Sequence, residues 1–368
     1  MTIKSKRLAS VDALRGFDML LIAGGGSFIY HFLQASGWAW ADTALIQMRH
    51  VTWDGFTFWD FIMPLFLFIS GVSMAFSLNK ALDMGMNKPE IYKKVIKRSL
   101  ILILLGIVYK NAPLNIWDPA HIRYSSVLGR IGIALFATAM LYLNFSWQKR
   151  LIWVAGILIA YYAALFLIPV PGYGAGDLSF EGNLVGWFDR SFMPGRLAQG
   201  SFDQLAILTQ FPALCITVLG AWAGDILRNT DIKQMIKIKW MLLIGVSGIG
   251  LGILWGQHFP INKRLWSSSF ILLTSGMAFI ALSLFYWLID IKGYKKWAFF
   301  FIVVGMNSLA VYYAYRFIDF NYTSNLLFSG LYGFTPEKWH STFQGFGGLM
   351  LVWLLMYFLY KKKVFFKV

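Results

Sequence analysis

Long apolar stretches alternate with short polar segments along almost the whole chain. A helix needs roughly 20 consecutive apolar residues to cross the hydrocarbon core of a bilayer, whereas the strands of a β-barrel would show only short alternating segments. The pattern therefore predicts an all-α, polytopic membrane bundle with about ten transmembrane helices. The predicted spans are 14–34, 57–78, 97–111, 127–144, 150–168, 205–226, 239–256, 267–289, 297–317 and 342–360.

The composition agrees with an integral membrane protein. Of the 368 residues, 58% are hydrophobic and 14% are charged, and the mean hydropathy is +0.60. We expect a single transmembrane domain, 1–368. We also expect the first apolar run to remain as a span, because it lacks the small-residue cleavage site of a signal peptide.

The basic residues are concentrated in alternate loops, which predicts that both termini are cytoplasmic. The formal net charge of +16 is explained by this topology. We therefore expect the lipid bilayer as a partner and no nucleic acid. The basic residues of the predicted cytoplasmic loops are Lys4, Lys6, Arg7, Lys88, Lys93, Lys94, Lys97, Arg98, Lys149, Arg150, Arg228, Lys233, Lys237, Lys239, Lys292, Lys295, Lys296, Lys361, Lys362 and Lys363.

Cysteine chemistry contributes little. Cys215 is the only cysteine and lies in a predicted span, so a disulfide within the chain is excluded. We expect it to be a small buried residue, and we expect no metal site.

The stretch Arg49–Gly71, "RHVTWDGFTFWDFIMPLFLFISG", joins a polar cluster directly to an apolar span. Asp60 lies one turn inside that span, where a carboxylate is costly unless it is paired or hydrated. Pro64 leaves the carbonyl of Asp60 without its helical donor. The pattern favours a polar pocket around His50, Asp54 and Asp60, although both acids could simply cap the helix.

A second polar cluster, "RLASVDALRGFD", opens the first span. Asp12, Arg15 and Asp18 are three residues apart and therefore share a helix face. Arginine is suited to phosphate, so this end could meet an anion from the cytoplasm, although basic residues at helix ends commonly reach for the interface. The candidate anion-binding residues are Arg7, Arg15, Lys97 and Arg98.

Polar residues inside other spans also suit a cavity. Arg130 lies just inside the fourth predicted span, and Asn307 and Ser308 lie within the ninth. Each could instead strengthen helix packing. The long outer loop 169–196 is rich in glycine, proline and aromatic residues, which suits contact with a sugar, although aromatic residues also anchor spans at the interface.

Five segments in order along the chain resemble the transmembrane acetyltransferases typified by lysosomal heparan-α-glucosaminide N-acetyltransferase and its bacterial relatives. These are "SVDALRGFDML", "HVTWDGFTFWDFIMPLFLFISGVSMAFS", "SSVLGRIGIAL", "INKRLWSSSF" and "GMNSLAVYY". The resemblance implies transfer of acetyl from cytoplasmic acetyl-CoA to the amine of a terminal glucosamine or glycan end across the membrane. It also implies a bacterial inner membrane location and makes a homodimer plausible.

The resemblance places the family's active-site histidine, in the motif His-x-x-Trp-x-Gly, at His50. Asp54 stands where the lysosomal enzyme has asparagine, and Gly26 stands where an asparagine near the histidine is expected. Together with the polar clusters, the resemblance implies three sets of residues. They are His50, Asp54 and Asp60 for catalysis, Arg7, Arg15, Arg98, Arg130 and Asn307 for acetyl-CoA, and Trp53, Gly26 and Lys263 for the sugar.

Coenzyme A is a large anion that cannot cross roughly 30 Å of hydrocarbon, so the thioester would have to thread through the bundle toward His50. We expect His50 to act as a general base, because histidine as a residue type titrates near neutral pH. A nucleophilic histidine that carries the acetyl group is the alternative. Asp54 or Asp60 would orient the imidazole.

Two other functions fit the same pattern. A transporter of an amino sugar or small saccharide would use Asp60 and Arg130 as substrate or proton sites. An O-acetyltransferase of surface glycans would use the same tunnel with a hydroxyl acceptor. Dependence on acetyl-CoA separates the transporter from the transferases, and the linkage in the product separates the two transferases.

Overall fold

The structure is a computed structural model and describes residues 8–366. Within these residues it contains α-helices, short π and 3₁₀ segments and two isolated β-bridges, Arg123 with Gly195 and Val170 with Gly174, but no β-strand. The all-α prediction is confirmed. The helices are α1 Ala9–Leu20, α2 Gly26–Ser36, α3 Ala41–Gln47, α4 Phe58–Asp83, α5 Lys88–Lys110, α6 Val127–Asn144, α7 Trp147–Leu167, α8 Leu184–Phe192, α9 Gln210–Arg228, α10 Gln234–Gly256, α11 Ser268–Phe285, α12 Lys295–Gly305, α13 Ser308–Phe317, α14 Phe320–Phe328 and α15 His340–Lys361.

Fewer helices are suited to cross a membrane than the ten that the sequence predicts. Eight spans between residues 8 and 366 are long and apolar enough, or nine if α12 and α13 form one bent span. The third predicted span, 97–111, belongs to α5. The first half of this helix, from Lys88 to Arg98, contains several basic residues. The apolar part of this helix, residues 99–109, is therefore short for a full crossing.

The chain divides into two compact units. Unit 1 contains the residues up to Val51, Thr57–Phe66 and the residues from Ala281 onward, and unit 2 contains Thr52–Phe56 and Leu67–Ile280. Helix α4 contributes its first residues to unit 1 and the rest to unit 2.

Two broken helices distinguish unit 1. The first span, Ala9–Ser36, is interrupted after α1 by a π segment in which Ala23 and Gly24 leave helical geometry, with φ of 98° at Gly24. Helices α12 and α13 meet at an angle of 61°. Breaks inside membrane spans expose backbone groups that need other partners, so they are tolerated only where protein or water supplies those partners.

Small residues allow helices to approach closely in both units. In unit 1, a Cβ added to Gly16 of α1 would overlap the carbonyl oxygen of Phe301 of α12, and one added to Gly305 would overlap that of Asp12. In unit 2, a Cβ on Gly220 of α9 would overlap the carbonyl oxygen of Phe68 of α4. Glycine is thus required at these crossings because backbone occupies the space.

Candidate active site

His50 and Asp60 form a hydrogen-bonded pair in unit 1. The imidazole Nδ1 of His50 lies 2.7 Å from Oδ1 of Asp60. The Asp60 side chain is 1% exposed, whereas the His50 side chain is 49% exposed. Since a carboxylate only accepts hydrogen bonds, this geometry requires a proton on Nδ1 of His50, and in the neutral form of the imidazole that tautomer has its lone pair on Nε2.

The start of helix α4 holds the Asp60 carboxylate in place. The backbone N–H of Thr57 donates to Oδ2 of Asp60 at 3.2 Å, and the Thr57 hydroxyl lies 3.0 Å from the same oxygen. This arrangement resembles a capping box, in which an acid in the first turn reaches back to the residue that precedes the helix. Asp60 therefore caps α4 and orients His50 at the same time.

A second histidine–aspartate pair shows which feature is special to the first. His121 Nδ1 lies 2.7 Å from Oδ2 of Asp118, the same distance as in the His50 pair. There, however, the carboxylate side chain is 45% exposed and the imidazole 81% exposed. Burial of the carboxylate, and not the distance, distinguishes Asp60.

Arg49 fixes the segment before His50 to the second half of the first span. Its guanidinium donates to the hydroxyl of Tyr30 on α2 and lies 5.2 Å from the centre of that ring. The Thr57 hydroxyl lies 2.6 Å from the carbonyl oxygen of Arg49. The residue before His50 is thus held both by α2, which precedes it in the chain, and by Thr57 at the start of α4, which follows it.

The space beside Gly26, which the sequence predicts to contact the sugar, is filled by Trp59. A Cβ at Gly26 would overlap the Trp59 ring and would lie 3.0 Å from the carbonyl oxygen of Leu21. The indole of Trp59 therefore occupies the volume that a side chain at residue 26 would need.

The middle of the histidine motif, Thr52–Phe56, belongs to unit 2 and binds the loop that begins at Ile261. The Asn262 amide donates to Oδ1 of Asp54 at 3.0 Å, and Nε of Arg264 donates to the carbonyl of Thr52 at 2.9 Å. Asp54 is thus a partner of Asn262, so Asp60 is the acid that orients His50. The neighbouring Lys263 is buried.

Trp53 packs inside unit 2. Its indole N–H donates to the carbonyl oxygen of Leu178 at 3.0 Å, and its ring makes edge contacts with Phe180 and Phe202. The loop 169–196 is thereby attached to the histidine motif through Trp53.

Two residues predicted to bind acetyl-CoA, Arg15 and Asn307, belong to unit 1, and Arg15 contacts the end of α12 just before Asn307. Nη1 of Arg15 lies 3.4 Å from Oδ1 of Asp12 and 3.4 Å from the carbonyl oxygen of Gly305. Asn307 follows two residues later and is fully buried. Arg98 lies exposed on α5 in unit 2, and Arg7 lies outside the described residues.

Arg130 is fully buried in unit 2. Its guanidinium lies 4.3 Å from the centre of the Trp266 ring, and Nη2 donates to the Thr209 hydroxyl and, at 2.8 Å, to the carbonyl of Gln204. Within residues 8–366, Nε and Nη1 of Arg130 have no hydrogen-bond partner. A buried cation with two unused donors is costly, so these donors fit a hydrated site or a ligand oxygen.

A pair of acids close to Arg130, Asp189 and Asp203, was not expected from the sequence. Asp203 accepts two hydrogen bonds from Arg123, at 2.8 and 2.9 Å, and its backbone N–H donates to Asp189 at 3.1 Å. Burial raises the pKa of Asp189 to about 7, and the nearby Asp203 charge acts in the same direction. Both acids come from regions that look like loops in the sequence, and only the fold brings them together.

The fold and this site define a class: a multi-pass, all-α membrane protein with a histidine oriented by a buried carboxylate at the start of a transmembrane helix. The family described as "Heparan-alpha-glucosaminide N-acetyltransferase, catalytic" matches residues 7–251. The chain belongs to this family.

Two curated relatives are similar over nearly all of the chain. Heparan-alpha-glucosaminide N-acetyltransferase of Mus musculus is 28% identical over 427 residues, which cover 99% of this chain and 61% of the mouse protein. The Homo sapiens protein of the same name is 29% identical over 436 residues, which cover 98% of this chain and 60% of the human protein. The chain thus spans about three fifths of each relative's length.

Proposed function

We propose that this chain is a membrane-embedded acetyltransferase that moves acetyl from acetyl-CoA to the amine of a glucosamine-type sugar. The observation that carries the proposal is the hydrogen bond of His50 to the buried carboxylate of Asp60. The names of the two curated relatives and the family match support the same reaction.

In this proposal His50 is the general base. The amine nitrogen attacks the thioester carbon, and Nε2 of His50 takes the proton that the nitrogen loses. The C–S bond then breaks, and the proton passes to the leaving sulfur, so that the products are an amide and free coenzyme A. Asp60 keeps the imidazole in the required tautomer and stabilises its charged form.

Acetyl-CoA would enter at the end of unit 1 that contains Arg15 and Asn307. Fifteen residues of the first span separate Arg15 from Tyr30, which holds the His50 segment. At 1.5 Å per residue a continuous helix of this length would rise roughly 20 Å, and the break at Ala23 and Gly24 can only shorten that distance. We therefore propose that acetyl-CoA enters at a different depth from His50. In unit 2, we propose that Arg130 contacts acetyl-CoA and that Lys263 and Trp53 help to bind the sugar.

We further propose that the basic loops, and with them both termini, face the cytoplasm of a bacterium and that the sugar binds on the outer side of the inner membrane. The support is the distribution of Lys and Arg. Cys215 is the only cysteine, so a Cys215→Ala background allows a clean test. Lys233→Cys should then react with a membrane-impermeant maleimide in inverted vesicles only, and Tyr173→Cys in right-side-out vesicles only.

The decisive experiment is transfer of labelled acetyl from acetyl-CoA to glucosamine by the purified protein, with His50→Ala beside His121→Ala. We expect transfer to be lost in His50→Ala and retained in His121→Ala. The same label should not remain on the protein when the sugar is omitted, because a general base forms no acetyl-enzyme. Equal activity of the two variants would overturn the role of His50.

A transporter of an amino sugar is a second candidate, and the two broken helices of unit 1 favour it. Transporters commonly build substrate sites from discontinuous helices. Uptake of unmodified glucosamine into vesicles without acetyl-CoA would support this candidate, whereas acetylated product that requires acetyl-CoA would support the transferase.

A further inference from the structure

The carboxamide of Asn307 binds the backbone of the chain's own C-terminal segment. Nδ2 of Asn307 donates to the carbonyl of Val364 at 2.9 Å, and the N–H of Phe366 donates to Oδ1 of Asn307 at 3.0 Å. One side chain thus satisfies the C=O and the N–H of two alternate residues, as a neighbouring β-strand would.

Cationic residues lie close in sequence to the residues that form this contact. Helix α15 ends at Lys361, and Lys362 and Lys363 form the turn before Val364. Arg15 contacts Gly305, two residues before Asn307. The contact of Asn307 with Val364 therefore follows three lysines in the chain, while Arg15 is paired with Asp12. These five groups carry a net positive charge, which would attract an anionic ligand.

Acetyl-CoA has the chemistry that these groups would recognise, if the proposed function holds. Its pantetheine arm contains two secondary amides, each with a C=O and an N–H, and its other end carries phosphates. Carboxamide groups suit the amides, and Lys and Arg suit the phosphates. The backbone of Val364 and Phe366 offers Asn307 the same pair of groups as the arm would.

We propose that the segment Val364–Phe366 is a strap that occupies Asn307 and that the pantetheine arm of acetyl-CoA displaces it. The strap and the arm then compete for one carboxamide. Acetyl-CoA binds the protein with the strap released, so its apparent affinity is the intrinsic affinity multiplied by the fraction of molecules in which the strap is released.

The test removes a single N–H. Phe366→Pro eliminates the donor to Asn307, whereas Phe366→Ala keeps it and shortens a side chain that is 58% exposed. Equilibrium binding of labelled acetyl-CoA is measured for the full-length chain and both variants. We expect the dissociation constant to fall about tenfold in Phe366→Pro and to stay within about twofold in Phe366→Ala. In an Asn307→Leu background, Phe366→Pro should have no effect.

Hydrogen exchange at the Phe366 amide gives a readout that does not depend on transfer. We expect protection without ligand and faster exchange with acetyl-CoA. If Asn307→Leu does not fold, this readout and the proline–alanine comparison decide the question. Equal binding by Phe366→Pro and Phe366→Ala, or weaker binding by Phe366→Pro, would overturn the strap and leave the proposed function intact. If the wild-type chain does not bind acetyl-CoA at all, the proposed function fails as well.

Discussion

Asp60 binds Nδ1 of His50 with one carboxylate oxygen and, with the other, the backbone N–H of Thr57, the residue that precedes its own helix. The histidine is thereby tied to the start of α4, although it lies ten residues earlier in the chain. Because the carboxylate is buried, its direction is set by the helix, and the direction of the imidazole follows from it.

Replacement of Asp60 by asparagine should disable catalysis while the fold is kept. The amide has the same size but can donate to Nδ1, which favours the imidazole tautomer that lacks a lone pair on Nε2. If the proposed function holds, we expect kcat for the proposed acetylation of glucosamine to fall roughly 10²- to 10⁴-fold, the usual contribution of a positioned base. The matched control is Asp118→Asn beside His121, for which we expect wild-type kcat.

Because residues 26 and 59 compete for one volume, substitutions at the two positions should have non-additive effects on the free energy of unfolding. We expect Gly26→Ala to destabilise the wild type by about 1–3 kcal/mol, since the new methyl group meets the Trp59 ring. In a Trp59→Ala background the same change should cost much less. Thermal unfolding of the four proteins gives the coupling energy, and strictly additive effects would contradict the shared volume.

Glycine at a helix crossing and glycine facing open space should respond oppositely to alanine. Gly16→Ala in α1 places a Cβ against the carbonyl oxygen of Phe301, so we expect a large loss of thermal stability or no folded protein. Gly156→Ala in α7 meets no atom within 4 Å. We expect that variant to gain about 0.5–1 kcal/mol, because alanine is the better helix former.

Asp189 should make stability depend on pH in an uncommon direction. Its pKa is about 7 in the folded protein because burial disfavours the charged carboxylate, while in the unfolded chain it titrates near 4. Between about pH 4 and 7 the folded state binds more protons, so the free energy of unfolding falls as pH rises. Asp189→Asn should remove this slope in unfolding curves measured from pH 4 to 8.

Asp177 is the matched control for that experiment. Hydrogen bonds from the hydroxyl and then the backbone N–H of Ser179 hold its pKa below the usual range. The stabilising effect of such a group is lost only as pH falls below about 4. Asp177→Asn should therefore leave the slope between pH 4 and 7 unchanged, and loss of the slope in this variant would contradict the assignment to Asp189.

The apolar runs predict most of the helices because a bilayer requires length and apolarity from each span. Helix α5 departs from the prediction because its charged first half and its short apolar second half form one helix. The break at Ala23 and Gly24 has a signal in "AGGG", since Gly24 adopts a φ that other residues avoid. The length of the apolar run nevertheless predicts an uninterrupted span, 14–34, which is wrong at this break.

The sequence predicts only those contacts of the candidate site that are made between residues close together in the chain. His50 and Asp60 are ten residues apart on one motif, and their association follows from the helix start between them. The partners of Gly26 and Asn307 lie 33 and 57 residues or more away, so no local pattern predicts them. Asp54 and Asp60 look equivalent in sequence, and the binding of Asp54 to Asn262 separates them.

The contact between Gly26 and Trp59 also constrains how this sequence can diverge. A larger residue at 26 destabilises the fold unless the residue at 59 is smaller, so one order of the two substitutions is favoured over the other. Comparisons among relatives should therefore consider residues 26 and 59 together, because either residue alone gives a misleading picture of the space that they share.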